Sequence, residues 1–247
     1  MFYYGTVFVS MPNVPDPPWW SRRTEAPRDK RPLTRELIVD AALVLLERDG
    51  LQGLSMRRLA QELGSGAASL YWHVGDKEEL LSLLLDRIVG EAQVPEPDPE
   101  NWQGTLKELA RASRRHLSER RDAAQLSLGR VPTGPHSLPI LERNLAVLAA
   151  SKLPPRVIAY AADMFALYVG AFAYEESIRS EEQASPEQIG EYFASLPPEQ
   201  FPTLTALADD LVAGDIDARF EFAIDLLVRG LEAMGAASAE LGGEEGR

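Results

Sequence analysis

The stretch SMRRLAQELGSGAASLYWHV, residues 55–74, sets two short helical segments on either side of a glycine turn. That order has the form of a helix-turn-helix. Ser55 is placed to cap the first segment, MRRLAQEL, which stops at Gly64. In the second segment Leu70, Tyr71, Trp72 and His73 follow one another. They fit no single buried face, so at least one of them points outward. A helix that enters a major groove must be small near its N-terminus and carry phosphate donors at its flanks. Ala67, Ala68 and Ser69 supply the small face, and Tyr71, His73 and Lys77 supply the donors. From spacing alone, a packed three-helix corner that never meets DNA fits equally well.

The surrounding chain reads as helical throughout. Leu37, Ile38, Ala41, Ala42, Leu45 and Leu46 recur at three- and four-residue spacing, with Thr34 as N-cap and Gly50 as stop. Asp76 and Glu79 stand at capping-box spacing before a leucine-rich helix. Downstream, helices are expected near 102–122, 137–151, 155–182, 199–211 and 216–238. Proline-rich breaks fall at 94–100, 131–139, 153–155 and 195–202. The first 32 residues hold six prolines and two basic clusters, and read as a disordered arm. Its first ten residues have strand character but no strand to pair with. The expected fold is all-α, divided into an arm (1–32), a three-helix DNA-binding domain (33–80), a larger helical ligand-binding and dimerisation domain (81–238) and a flexible tail (239–247).

Charge matters here through its distribution. The chain carries −13 overall, which taken alone opposes nucleic acid. Residues 95–247 hold 14 basic and 25 acidic side chains, whereas 21–75 hold 9 basic and 7 acidic. A mildly basic N-terminal module on an acidic body stays open to DNA. There is no cysteine, and the three histidines lie far apart at 73, 116 and 136, so no metal site or cofactor is expected. His136, in a proline-rich loop, is expected to be exposed. No uninterrupted apolar run reaches bilayer-spanning length, which makes a cytoplasmic protein without a membrane partner the expectation. An enzyme is the rival class. However, the paired acids Glu175/Glu176, Glu181/Glu182 and Asp209/Asp210 are adjacent on helices and do not converge, and no phosphate loop or nucleophile elbow appears. No catalytic residue is assigned. A helix-turn-helix used only for protein interaction is the other alternative.

The stretch GLQGLSMRRLAQELGSGAASLYWHVGDKEELL, residues 50–81, resembles the DNA-binding domain of the TetR family, specifically its tetracycline-repressor branch. Weaker similarity continues in SRRHLSERRDAAQLSLGRVP (113–132) and RFEFAIDLLVRGLEAM (219–234). The resemblance implies a dimeric regulator, most often a repressor, released from a palindromic double-stranded DNA operator by a small effector. It implies that Ser55, Arg57, Ala67, Ala68, Ser69, Tyr71, His73 and Lys77 are the DNA-binding residues, with Arg57 reaching a base edge and Ser69 meeting base or phosphate. Tyr71, His73 and Lys77 would hold the backbone. Leu70 and Trp72 are expected to pack inward. Ala67 and Ala68 replace the glutamine and proline of the branch, so a different operator is implied, read through thymine methyl groups or shape.

In the branch's ligand domain, the magnesium-ligating histidine falls on Ser127 and a nearby threonine on Arg130. An aromatic contact falls on Ser113, the drug-anchoring asparagine on Leu109 and a glutamine on Asn144. The metal-chelate constellation is gone, and a small hydrophobic or amphipathic effector is expected instead. Candidate lining residues are Leu109, Ser113, Leu117, Ser127, Arg130, Leu141, Asn144, Leu148, Phe165, Tyr168 and Phe172, although for each apolar one ordinary core is the competing reading. Ser127, Arg130 and Asn144 stand out because a bundle interior rarely holds an unpaired polar group. Arg130 suits an anionic or carbonyl-bearing ligand, or else a glutamate partner. The helices at 160–178 and 216–234 are apolar over most of their circumference, which means deep burial or a subunit interface; the resemblance makes it a homodimer bundle.

Overall fold

The computed structural model describes residues 33–178 and 184–244, with side chains to residue 235. The expected arm at 1–32, the Glu181/Glu182 pair and residues 245–247 of the expected tail lie outside the described residues. Among the described residues every regular element is a helix. In chain order they are α1 (Arg35–Gly53), α2 (Met56–Glu62), α3 (Ala67–His73), α4 (Lys77–Gly90), α5 (Trp102–Ser118) and α6 (Ala123–Ser127). The series continues with α7 (Leu138–Ala149), α8 (Pro155–Ile178), α9 (Pro186–Ala194), α10 (Pro202–Ala206), α11 (Ala208–Val212) and α12 (Ile216–Glu244).

The caps explain where the first helices begin. The Thr34 hydroxyl accepts from the Leu37 amide at 3.2 Å, and the Ser55 hydroxyl accepts from the Arg58 amide at 3.2 Å. Asp76 accepts from the Glu79 amide at 2.8 Å. Glu79 reaches back to the amide of Gly75 at 2.7 Å, one residue before the N-cap, so the box is not reciprocal. Gly50, the expected stop of α1, is a kink instead. It takes the left-handed φ of 73°, and helical turns resume to Gly53.

The chain forms two compact units. One contains the described residues up to Ala92 together with Gly129–Glu142, and the other contains Gln93–Leu128 and Arg143 onward. The expected cut at 80/81 falls inside α4. The first unit is built on Ile38, Leu45 and Leu46 of α1, Leu59 of α2, Leu70 of α3 and Leu80, Leu84 and Leu85 of α4, all buried. In the second, α5 packs along α8 and α12 and α6 packs on α8. Its core joins Leu106 and Leu109 to Val147, Phe165, Phe172, Phe220 and Ile224.

Several expected elements differ. The helix expected to 122 ends at Ser118, because Asp122 turns left-handed with φ 55° and starts the separate α6. The region 199–211 is two five-residue helices, and α9 precedes them. The last helix runs to Glu244, through most of the expected tail. By length and composition α8 is long and apolar enough to cross a membrane, contrary to the expectation from uninterrupted runs. Scattered charged residues hid that length.

Candidate functional site

The turn between α2 and α3 is fixed by backbone chemistry. Gly64 has φ +59°, and its amide donates to the Gln61 carbonyl at 3.1 Å while the Ser65 amide donates to that of Ala60 at 3.0 Å. This pair of bonds is a Schellman closure, which needs a left-handed residue and so favours glycine. It ends α2 and sets the direction in which the chain enters α3.

On α3, Leu70 is fully buried and Val74, at its C-cap, is buried with it. Ala67, Ala68, Ser69 and Tyr71 are exposed. Trp72, expected in the core, is 51% exposed. The reason is angular: residues two apart on an α-helix point about 200° apart. Leu70 and Val74, four apart, share the inward face, so Trp72 cannot share it. His73 is half-buried, and its carbonyl accepts from Arg35 Nε at 3.3 Å. Arg35 also pairs with Glu79 at 3.4 Å, so one α1 side chain ties the end of α3 to the start of α4.

Arg57 and Lys77 are exposed, the latter at the first position of α4. Arg58, beside Arg57, is committed to Asp49 at 2.8 Å and to the Gly53 carbonyl at 3.2 Å. Thus Arg57, Ala67, Ala68, Ser69, Tyr71 and Lys77 all lie on the surface of the first unit, while Ser55 is a half-buried cap.

In the second unit the candidate effector residues separate by type. Leu109, Leu148, Phe165 and Phe172 belong to the core, with Leu117 and Tyr168 packed against it. Burial raises the pKa of the Tyr168 phenol. The Ser127 hydroxyl donates to the Ala124 carbonyl at 2.7 Å, and Ser113 is half-buried. Asn144 stands apart, because its side-chain oxygen is buried without a hydrogen-bond partner. Arg130 and Leu141 fall in the other unit. The Arg130 guanidinium is engaged by Glu78 at 2.9 Å. His136, expected to be exposed, is partly buried; its amide donates to Asp86.

The sequence reading missed Arg114. It lies over the rings of Phe172 at 4.9 Å and Phe220 at 4.8 Å. It donates to both oxygens of Glu176, at 3.1 and 2.9 Å, and meets Asp217 at 2.7 Å. These bonds, Glu176 first, raise its pKa, and the bond from Arg111 lowers that of Glu221. A cleft of about 400 Å³ is walled by these ion pairs, not by the expected lining residues. Among the described residues no group of three or more His, Cys, Asp or Glu is placed to hold a metal ion.

A short capped helix, a Schellman turn and a second helix with a small, exposed N-terminal face define a helix-turn-helix protein carrying a further helical body. Residues 38–84 match the model of the bacterial regulatory proteins of the tetR family, and residues 94–235 match the tetracyclin repressor-like C-terminal domain. The chain is 34% identical over 217 residues to an HTH-type transcriptional regulator of Saccharopolyspora erythraea, covering 87% of this chain and 91% of the relative. It is 29% identical over 230 residues to the HTH-type transcriptional repressor DrrR1 of Streptomyces coeruleorubidus, covering 87% and 83%. Among solved structures, apo ActR of Streptomyces coelicolor superposes with a TM-score of 0.78 at 40% identity, covering 85% of this chain and all of that one. ActR in complex with actinorhodin gives 0.76 at 42% identity, covering 83% and 97%. The chain belongs to the TetR family of bacterial transcription regulators.

Proposed function

We propose that this regulator is a cytoplasmic, homodimeric repressor that a small hydrophobic or amphipathic effector releases from a palindromic operator. The observation that carries the reading is the division of α3, with Leu70 and Val74 inward and Ala67, Ala68, Ser69, Tyr71 and Trp72 outward. Residues 33–80 supply DNA contact in this reading, and residues 81–238 supply effector binding and dimerisation. Arg57 reads a base edge, the alanines meet thymine methyls or groove shape, and Tyr71, His73 and Lys77 hold phosphates.

Dimerisation is supported by large apolar side chains left exposed on α8 and α12, among them Tyr160, Leu167, Phe222 and Leu226. A second copy placed there gives two recognition helices, which a two-fold axis sets on half-sites about 34–36 Å apart or a multiple of that. The actinorhodin complex of ActR supports control by a small effector, and the helical body is the place proposed for it. The orphan oxygen of Asn144 is the anchor proposed for it, with the apolar candidates of the same unit as walls. The effector acts by favouring a conformer whose recognition helices no longer match adjacent half-sites.

A mobility shift on the DNA upstream of the gene tests this directly, and the absence of a specific, salt-dependent band refutes it. On that DNA, Arg57→Ala is expected to cost about 1–3 kcal/mol and relax preference at one base position. Lys77→Ala should weaken all sequences alike and flatten the salt slope by about one unit. If both variants bind like the wild type, the assignments fail.

A further inference from the structure

The helix that follows the recognition helix carries a buried acidic side chain. Asp86 of α4 is 2% exposed, among Leu83, Leu84, Leu85 and Ile88. A carboxylate buried there is costly unless hydrogen bonds replace its water. Its Oδ1 accepts from the backbone amides of Ser137 at 2.8 Å and His136 at 3.1 Å. Those amides belong to the turn that opens α7, where the Leu138 amide closes on the Gly134 carbonyl at 3.1 Å. The start of a helix presents unpaired N–H groups, so an anion is favoured at that place.

Two glycines permit the approach. A Cβ on Gly134 would overlap the Asp86 carboxyl group, and one on Gly90 would meet His136 at 2.5 Å. Nearer the start of α4, Arg130 binds Glu78. Residues 129–142 therefore form a strap fastened to α4 at Glu78, Asp86 and Gly90, over roughly 18 Å of helix at 1.5 Å per residue. α7 continues past the strap to Ala149, with Val147 and Leu148 in the core of the larger unit.

We infer that Asp86 is a coupling residue: its clasp on the turn that opens α7 delivers displacements of α7 to α4, and so to the recognition helix joined to it. The inference rests on the regulatory reading above for its purpose, but the clasp can be tested without DNA or effector. Val147→Ala perturbs the buried part of α7, and hydrogen exchange of the α4 amides is read in the full-length protein with Asp86 intact and with Asp86→Asn. With Asp86 intact, α4 exchange should rise by about tenfold; in the Asp86→Asn background the same change should move it by less than about threefold. A purely structural Asp86 would leave the two responses equal. Gly134→Ala, which displaces the carboxylate without removing it, should reproduce the uncoupling and serves if Asp86→Asn does not fold. Equal responses in the intact and altered backgrounds, or none in either, overturn the clasp. Unshifted upstream DNA with wild-type protein overturns the regulatory reading instead.

Discussion

Leu70→Ala is expected to abolish operator binding at protein concentrations that saturate the wild type, while the larger helical unit should keep its thermal transition. α3 has seven residues, too few to hold a helix in water by hydrogen bonding alone. Its N-cap is Gly66, which provides no side-chain acceptor, so docking rests on the Schellman turn and on Leu70 and Val74. Alanine has the better helix propensity, which leaves lost packing as the whole effect. Removing a fully buried leucine costs about 2–5 kcal/mol in transfer and cavity terms. Spent locally, about 2 kcal/mol shifts the docking equilibrium of each recognition helix about 30-fold toward the undocked form. A dimer needs both helices, so with docking as marginal as a seven-residue helix implies, Kd should rise by about 100-fold or more. Leu70→Met, which conserves volume, should bind within about tenfold of the wild type. Titration of the three proteins against the upstream DNA, with circular dichroism melting alongside, decides the matter. Near-normal affinity for the alanine variant would show that α3 is held by something other than Leu70.

The residues most legible in the sequence are those whose reason for existing is local. The caps at Thr34, Ser55 and Asp76, the glycine at 64 and the inward Leu70 follow from rules that span three or four residues, and each is where those rules place it. The same rule sends Trp72 outward, since a residue two steps from Leu70 must face away. The start of α9 is also local: Ser185 and Gln188 form a capping box with Pro186 in the first turn, a signal the expected helices leave out. Asp86 and Arg114 were illegible for a different reason. An acid in a leucine-rich helix reads as solvated, and its partners are backbone amides about 50 residues onward that no side-chain pattern announces. Arg114 sits in a run of arginines, and its aromatic and acidic partners come from α8 and α12. Long-range pairings of this kind appear only when the helices are assembled.

The second large effect is expected in the body. Phe220 is fully buried on α12, stacked on Tyr168 at 5.9 Å between ring centroids and meeting Phe172 edge-on at 5.0 Å. It also forms one wall of the place where the Arg114 guanidinium lies. Phe220→Ala therefore removes a core ring, two aromatic contacts and half of the cation–π support at once, for about 3–5 kcal/mol. In a unit of this size that corresponds to a fall of roughly 10 °C in Tm. Phe220→Leu keeps most of the buried volume and should lose about half as much. The difference between the two variants separates cavity formation from the loss of aromatic contact. The first unit draws its core from α1 to α4, so isolated measurements on its amides should register little of the loss unless the Asp86 clasp transmits it. Exchange of α4 amides in Phe220→Ala, with and without Asp86→Asn, thus becomes a second reading of the coupling from a perturbation placed on a different helix. If both phenylalanine variants melt with the wild type, the aromatic cluster is not what holds α5, α8 and α12 together.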